Sequence, residues 1–188
     1  MRRLSRSALL AGIFVTAPLL AVAEPIPPGE EGELAAFLPP EEGAHICYRR
    51  VYSAEHLAKH PDQTVTEIDF RLAYYRHDPD EFYPKGQRNY YFAMLAKQRG
   101  RDRTLTALGE CVAYGDRISC GVECDGGGVS VSRREAGTIL VDLDAFGRIR
   151  MSEGCDEADA VDLESGKDDS SFLLTKTDEA SCPPYEQW

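Results

Sequence analysis

Residues 66–74 alternate without a break, with Thr66, Ile68, Phe70, Leu72 and Tyr74 on one side and Glu67, Asp69, Arg71 and Ala73 on the other. Successive side chains of an extended strand point to opposite faces, so this period of two specifies a strand with one face buried and one wet. A helix would spread the same residues around its whole circumference. Residues 89–97 form a second strand of another kind. Tyr90, Phe92 and Met94 face one way and Tyr91, Ala93 and Leu95 the other, which places this strand centrally in a sheet. Further strands are predicted at residues 44–52, 103–111, 117–124, 128–132, 138–143, 147–151 and 171–177. Turn signals separate them at Tyr114-Gly115-Asp116, Asp125-Gly126-Gly127-Gly128, Ala136-Gly137 and Asp144-Ala145-Phe146-Gly147. Many short strands joined by glycine turns make a mainly β fold, a single antiparallel β-sandwich or a partly open β-barrel. One short helix is expected at residues 53–60, where Ser53 caps the first turn, Glu55 suits the positive end and Pro61 stops the run.

The chain ahead of these strands reads as two segments. Arg2, Arg3 and Arg6 precede an apolar stretch from Ala8 to Leu20 and the small residues Ala21-Val22-Ala23, the order of a cleavable secretory signal over residues 1–23. Gly12, Thr16 and Pro18 interrupt the apolar stretch, and it falls short of the ~20 residues a spanning helix needs. No transmembrane span is expected after cleavage. Residues 24–44 are rich in proline and glutamate and are expected to be a disordered spacer, with at best a short turn at residues 34–38. Residues 45–188 have the length of one domain.

Six cysteines follow the signal: Cys47, Cys111, Cys120, Cys124, Cys155 and Cys182. An even set entering an oxidising compartment predicts three disulfides, and the domain is expected to be disulfide-stabilised. On a strand over residues 117–124, Cys120 and Cys124 would lie about 13 Å apart at ~3.3 Å per residue, too far to bridge each other. Each therefore has a partner elsewhere. Zinc is the rival use of these thiols, but neither a second close cysteine pair nor a histidine pair completes a set.

Charge is unevenly placed. Residues 24–44 hold six acids and no bases, residues 45–104 eleven bases against eight acids, and residues 105–188 seven bases against eighteen acids. The cationic first half could meet an anionic partner if its charges shared a face. A formal net charge of −11 and export both argue against nucleic acid.

Four groups of residues carry possible chemistry. His56 and His60 stand one helical turn apart, a spacing that can chelate a transition metal. Asp142, Asp144, Gly147, Ile149 and Glu153 follow the spacing of a calcium-binding loop, although Phe146 stands where an oxygen ligand belongs and the flanking residues are β-like. Asp78, Asp80 and Glu81 lie beside Tyr75 and Tyr83 in a loop between two strands, as the carboxylates and sugar platforms of a glycosidase would. Finally, seven of the nine tyrosines crowd between Tyr48 and Tyr91 among Arg49, Arg50, Arg71, Arg76 and Arg88. Tyrosine and arginine together favour recognition, and Tyr52, Tyr75, Tyr83, Arg88 and Tyr91 are the expected binding residues. No cofactor is expected.

At Cys120-Gly121-Val122-Glu123-Cys124-Asp125-Gly126-Gly127-Gly128, and again at Asp168-Asp169-Ser170-Ser171-Phe172-Leu173-Leu174, the chain resembles exported bacterial proteins of uncharacterised function. The resemblance spans the last half of the chain. It implies a bacterial, secreted origin and supplies no activity. The expectation is therefore a periplasmic or secreted binding or accessory module for an envelope protein, a glycan or a small hydrophobic ligand, an enzyme inhibitor among the options. A glycan-acting hydrolase using the loop carboxylates and a structural envelope component are the alternatives.

Overall fold

The computed structural model describes residues 26, 30–152, 160–166 and 168–182. The signal, Glu153 and Cys155 lie outside the described residues. The expected antiparallel, disulfide-stabilised β architecture is present as a closed barrel. Its strands are β1 (His45–Val51), β2 (Val65–His77), β3 (Gln87–Gln98), β4 (Leu105–Tyr114), β5 (Arg117–Gly121), β6 (Gly128–Arg133), β7 (Thr138–Asp142) and β10 (Ser171–Lys176). The first seven form an antiparallel meander in chain order. A separate hairpin, β8 (Arg148–Met151) with β9 (Val161–Glu164), intervenes before β10 fills the gap between β7 and β1.

An eight-stranded barrel has an interior just wide enough to be filled by side chains, and this one is filled. Ile68, Phe70, Leu72, Phe92, Met94, Ile118, Val131, Val141 and Phe172 all point inward and are fully buried or nearly so. Phe70 stacks on Phe92 with centroids 6.0 Å apart, and Tyr74 meets Tyr90 edge-on at 5.3 Å. The alternation of β2 thus does what it predicts, except at its start: a register shift between Val65 and Glu67 turns Val65 into the core in place of Thr66. A barrel that is open and apolar inside, the arrangement a small hydrophobic ligand would need, is not what these residues build.

Each end of the barrel is closed by a different element. The expected spacer is ordered from Glu31 onward, contrary to the reading of residues 24–44 as disordered. Helix α1 (Glu33–Phe37) and Leu38 place Leu34, Phe37 and Leu38 in the core, and the Tyr90 hydroxyl donates to the Leu38 carbonyl at 3.1 Å. Prolines and glutamates dominate the composition here, but the apolar residues fall on one face of a single turn, and that face fits the mouth of the barrel. The one expected helix is present as α2 (Ala54–Lys59), with Ser53 accepting from the His56 amide as its cap. Among the described residues there are therefore two short α-helices instead of one.

At the opposite end the β8–β9 hairpin buries Ile149, Met151 and Leu163. It docks through isolated bridges, Gly127 to Ile149 and Thr106 to Ser152, and through the Arg150 amide to the Gly126 carbonyl at 2.7 Å. The glycine run explains how. Gly127 has φ of 70°, and a Cβ there would lie 2.1 Å from the Arg148 carbonyl oxygen, so only glycine lets the hairpin approach. The same run ends β5 early. The strand stops at Gly121 instead of reaching residue 124, and Cys124 sits in the following turn with φ of 55°.

Among the described residues two of the three expected disulfides are present. Cys111 and Cys120 are directly opposed on β4 and β5, their Cα atoms 4.0 Å apart, close to the ~4.5 Å of a non-hydrogen-bonded antiparallel pair. Cys47 of β1 joins Cys182 beyond β10, with Cα atoms 5.5 Å apart. Cys120 and Cys124 are not bonded to each other, as expected, although the straight strand used to separate them does not exist. Cys124 is exposed and has no disulfide partner among the described residues.

Candidate interaction surface

The barrel's ladders do not all reach its α1 end, and where they stop decides which side chains project. β1 pairs with β2 only as far as His45↔Ala73, and β3 pairs with β4 only from Tyr90↔Cys111. The pairs Tyr75↔Asn89, Arg76↔Arg88 and His77↔Gln87 consequently form a two-stranded arm extending about 10 Å beyond the wall at ~3.3 Å per residue. β4 continues past β3 along β5 through Val112↔Ser119, Ala113↔Ile118 and Tyr114↔Arg117, and because β6 still flanks β5 as far as Ile118↔Val131, this second arm is short: only Tyr114↔Arg117 stands clear of the wall.

The segment leading into α1 touches both arms. Glu31 is buried and pairs with Arg88 at 3.5 Å on the first arm. Gly32, at φ of 53°, lies so close to the second that an added Cβ would be 3.2 Å from the Ala113 Cβ. Isolated two-stranded hairpins are marginal in water, so these contacts give the longer arm support that pairing alone would not.

The outer face of that arm is aromatic. Tyr91 and His77 are joined by a hydrogen bond of 2.6 Å between hydroxyl and Nε2, and Tyr75 packs edge-on against His77 with centroids 4.6 Å apart. At the tip, residues 78–86 are tied down internally. Asp80 Oδ1 accepts from the amides of Phe82 at 2.8 Å and Tyr83 at 2.6 Å, and the Tyr83 carbonyl accepts from the amides of Asp80 and Gly86. Phe82 is left 78 % exposed. On the second arm Val112 and Tyr114 are 47 % and 68 % exposed. Three of the large hydrophobic residues that face solvent are thus gathered on the two neighbouring arms.

Of the five expected binding residues, Tyr75 and Tyr91 are brought together. Tyr83 is half-buried in the loop above them. Arg88 faces the other way, because it shares the inward face of β3 with Tyr90 and Phe92 and is engaged by Glu31. Tyr52 is at the far end of the barrel: its amide bonds to the Thr66 carbonyl, nine residues along β2 from Tyr75 and hence about 30 Å away. There it lies 4.7 Å from the ring of His56 and 5.2 Å from the Arg50 guanidinium. Burial pushes the Tyr52 hydroxyl above its ordinary value, Arg50 opposing and Asp169 reinforcing the rise. Phe82, His77, Val112 and Tyr114 went unrecognised in the sequence.

The remaining candidates are absorbed by structure. Asp80 serves the loop amides, while Asp78 and Glu81 are exposed in the same open loop. His56 and His60 stack face to face at 4.3 Å, His56 engaging Gln63 at 3.0 Å and His60 engaging Asp168 at 3.4 Å. Asp142 accepts from the Asp144 amide at 2.8 Å, and Asp144 accepts from the Ser165 hydroxyl, which makes this stretch a strand-to-strand turn. Among the described residues no group of three or more metal-ligating side chains comes together. Several cations of the first half are also taken up locally: Arg49 pairs with Glu67 and Asp69, Lys97 with Glu67, and Arg99 with the carbonyls of Leu57 and His60.

Two shallow depressions lie on the outside of the barrel and share Gly43, Ala44 and His45, one running toward Lys176 and Asp178 and the other toward Arg71 and Tyr75. Neither contains the loop carboxylates. Comparison with family models, with curated proteins and with solved structures finds no match to this chain. Among the described residues no helix is long and apolar enough to cross a membrane.

Proposed function

We propose that this chain is an exported binding module that engages a protein partner through the two arms at its α1 end. The observation that carries the reading is the exposure of Phe82, Val112 and Tyr114 on adjoining projections, next to the Tyr75, His77 and Tyr91 cluster. Interfaces are enriched in aromatic residues, and a projecting hairpin beside the free edge of β4 suits a concave partner better than a sugar chain or a lipid. Disulfides in a barrel of this size are compatible with the periplasm or the extracellular space.

Hydrolysis of glycans has less support, since Asp80 is engaged by the loop amides and neither depression on the barrel is lined by Asp78, Asp80 or Glu81. The test is comparative capture from native envelope extract with the oxidised, processed protein immobilised. Phe82→Ser and Tyr114→Ser should each weaken capture of the same partner by about tenfold or more, as loss of an anchor residue does, while Tyr52→Ala at the opposite end leaves it unchanged. Equal capture by all three variants would remove the arms from the interface.

A further inference from the structure

Resting on that reading, we propose that Phe82 is an anchor that inserts into an apolar pocket on the partner, and that the pocket is rimmed by lysine or arginine. Three observations lead there. The residue is 78 % exposed at the end of an arm, a convex position that another molecule can cover only by enclosing it.

The loop that presents it is fixed before binding. Four backbone amides within residues 78–86 are satisfied by Asp80 Oδ1 and the Tyr83 carbonyl. Gly86 closes the turn at φ of 74°, where a Cβ would lie 2.5 Å from the His77 carbonyl oxygen. Pro79 and Pro84 remove further freedom. A loop fixed in this way loses little backbone entropy when a partner buries the side chain it presents.

The third observation is charge. The loop carries Asp78, Asp80 and Glu81 against Lys85 alone. Asp80 is occupied with the amides, whereas Asp78 and Glu81 are exposed in the same short loop that presents Phe82. A partner enclosing Phe82 also covers this acidic loop, and a cationic rim is the complement that avoids leaving its two exposed carboxylates desolvated and unpaired. The enclosed aromatic supplies affinity and the carboxylates supply orientation and steering.

A benzophenone side chain in place of Phe82, Val112, Tyr114, Val51, Phe146 or Leu173, introduced one at a time into the oxidised protein, reads this out in native envelope extract. All six positions are exposed and apolar, so an unchanged melting temperature shows that each variant is folded. The proposal expects one discrete adduct from position 82, with the partner peptide it marks carrying apolar residues beside lysine or arginine. It also expects the Asp78→Lys/Glu81→Lys variant to reduce that adduct by about tenfold and to abolish its weakening by salt. Adducts from positions 112 or 114 without one from 82 would overturn the anchor and leave the binding surface standing. An adduct at 82 on an acidic or flat partner segment, unaffected by the charge reversal, would overturn the cationic rim. Adducts only from positions 51, 146 or 173, or none at all, would overturn the reading of the arms as well.

Discussion

β2 and β3 are matched at twelve positions, whereas β1 and β10, which close the barrel, are matched at two, Tyr48↔Lys176 and Arg49↔Thr175. The contrast shows how a meander becomes a barrel. Sequential hairpins form their ladders locally and at length, but the closing contact joins segments from opposite ends of the chain and depends on other fasteners. This seam has two. Toward the α1 end the Thr177 amide bonds to the Cys47 carbonyl, and Cys47 is linked covalently to Cys182. The short turn that brings Cys182 there is capped by Asp178, whose carboxyl is held below its usual range by hydrogen bonds from the Ser181 hydroxyl and amide. At the other end Asp169, just before β10, reaches past β1 to the start of β2. Its carboxylate accepts from the Thr64 amide at 2.7 Å, the Thr64 hydroxyl at 2.6 Å and the Val65 amide at 3.3 Å.

The largest effect should come from the covalent fastener. Cys47–Cys182 spans a sequence separation of 135 and Cys111–Cys120 one of 9, so loop-closure entropy assigns them about 5 and about 2.6 kcal/mol respectively. Cys47→Ala/Cys182→Ala should therefore lower denaturant stability by several kcal/mol, and amide hydrogen exchange should quicken first at Arg49 and Thr175 while β2 and β3 stay protected. The contrast breaks if protection falls evenly around the barrel.

Next in size is Asp169→Ala, which takes a buried carboxylate away from the amide and hydroxyl of the exposed Thr64 and from the amide of the buried Val65. About 3 kcal/mol is expected, since hydrogen bonds to a charged acceptor contribute about 1.5–3 kcal/mol each and partial rehydration recovers some of that. Asp169→Asn keeps one carbonyl acceptor and should recover roughly half of the loss. Thermal melts of the two variants check the order. An alanine variant as stable as the parent would mean that the seam is held without this carboxylate.

The strands were legible because alternation is written residue by residue, and nine of them stand close to where the pattern puts them. β9 was not, since Val161-Asp162-Leu163-Glu164 is too short for its period to stand out from a loop. α1 was masked by the prolines and glutamates around it, and its core role depends on a barrel mouth that no local signal describes. The candidate surface divides in the same way. Tyr75 and Tyr91 could be placed outward from their parity against Phe70 and Phe92, and the same parity puts Arg88 inward with Tyr90. Phe82, Val112 and Tyr114 are exposed because neighbouring strands end early, and ladder ends are set by pairing across the whole barrel. Arg88→Ala sharpens this point: it should cost about 1–2 kcal/mol by leaving Glu31 buried without its partner, and weaken capture only in step with that loss of support for the arm. Loss of capture at unchanged stability would return Arg88 to the interface.

The smallest effect concerns the outer wall between seam and arm, where Asp69 on β2 lies opposite Arg49 on β1. Burial pushes the Asp69 carboxyl above its ordinary value of 3.8, Arg49 pulls it back, Glu67 adds to the rise and Lys97 opposes it. A folded state that holds this proton more tightly than the unfolded chain binds more protons as the pH climbs from 3.8 to the raised value, so its stability falls through that window. Below the window both states are protonated and the group contributes nothing. Above it the penalty is complete. Asp69→Asn removes the titration, so melting temperatures of variant and parent should nearly coincide near about pH 3 and separate in the variant's favour as the pH rises, levelling off beyond the window. A parent that gains on the variant over the same range would show that the ion pair with Arg49 outweighs the burial of Asp69, and that the wall beside the seam is strengthened by its charges.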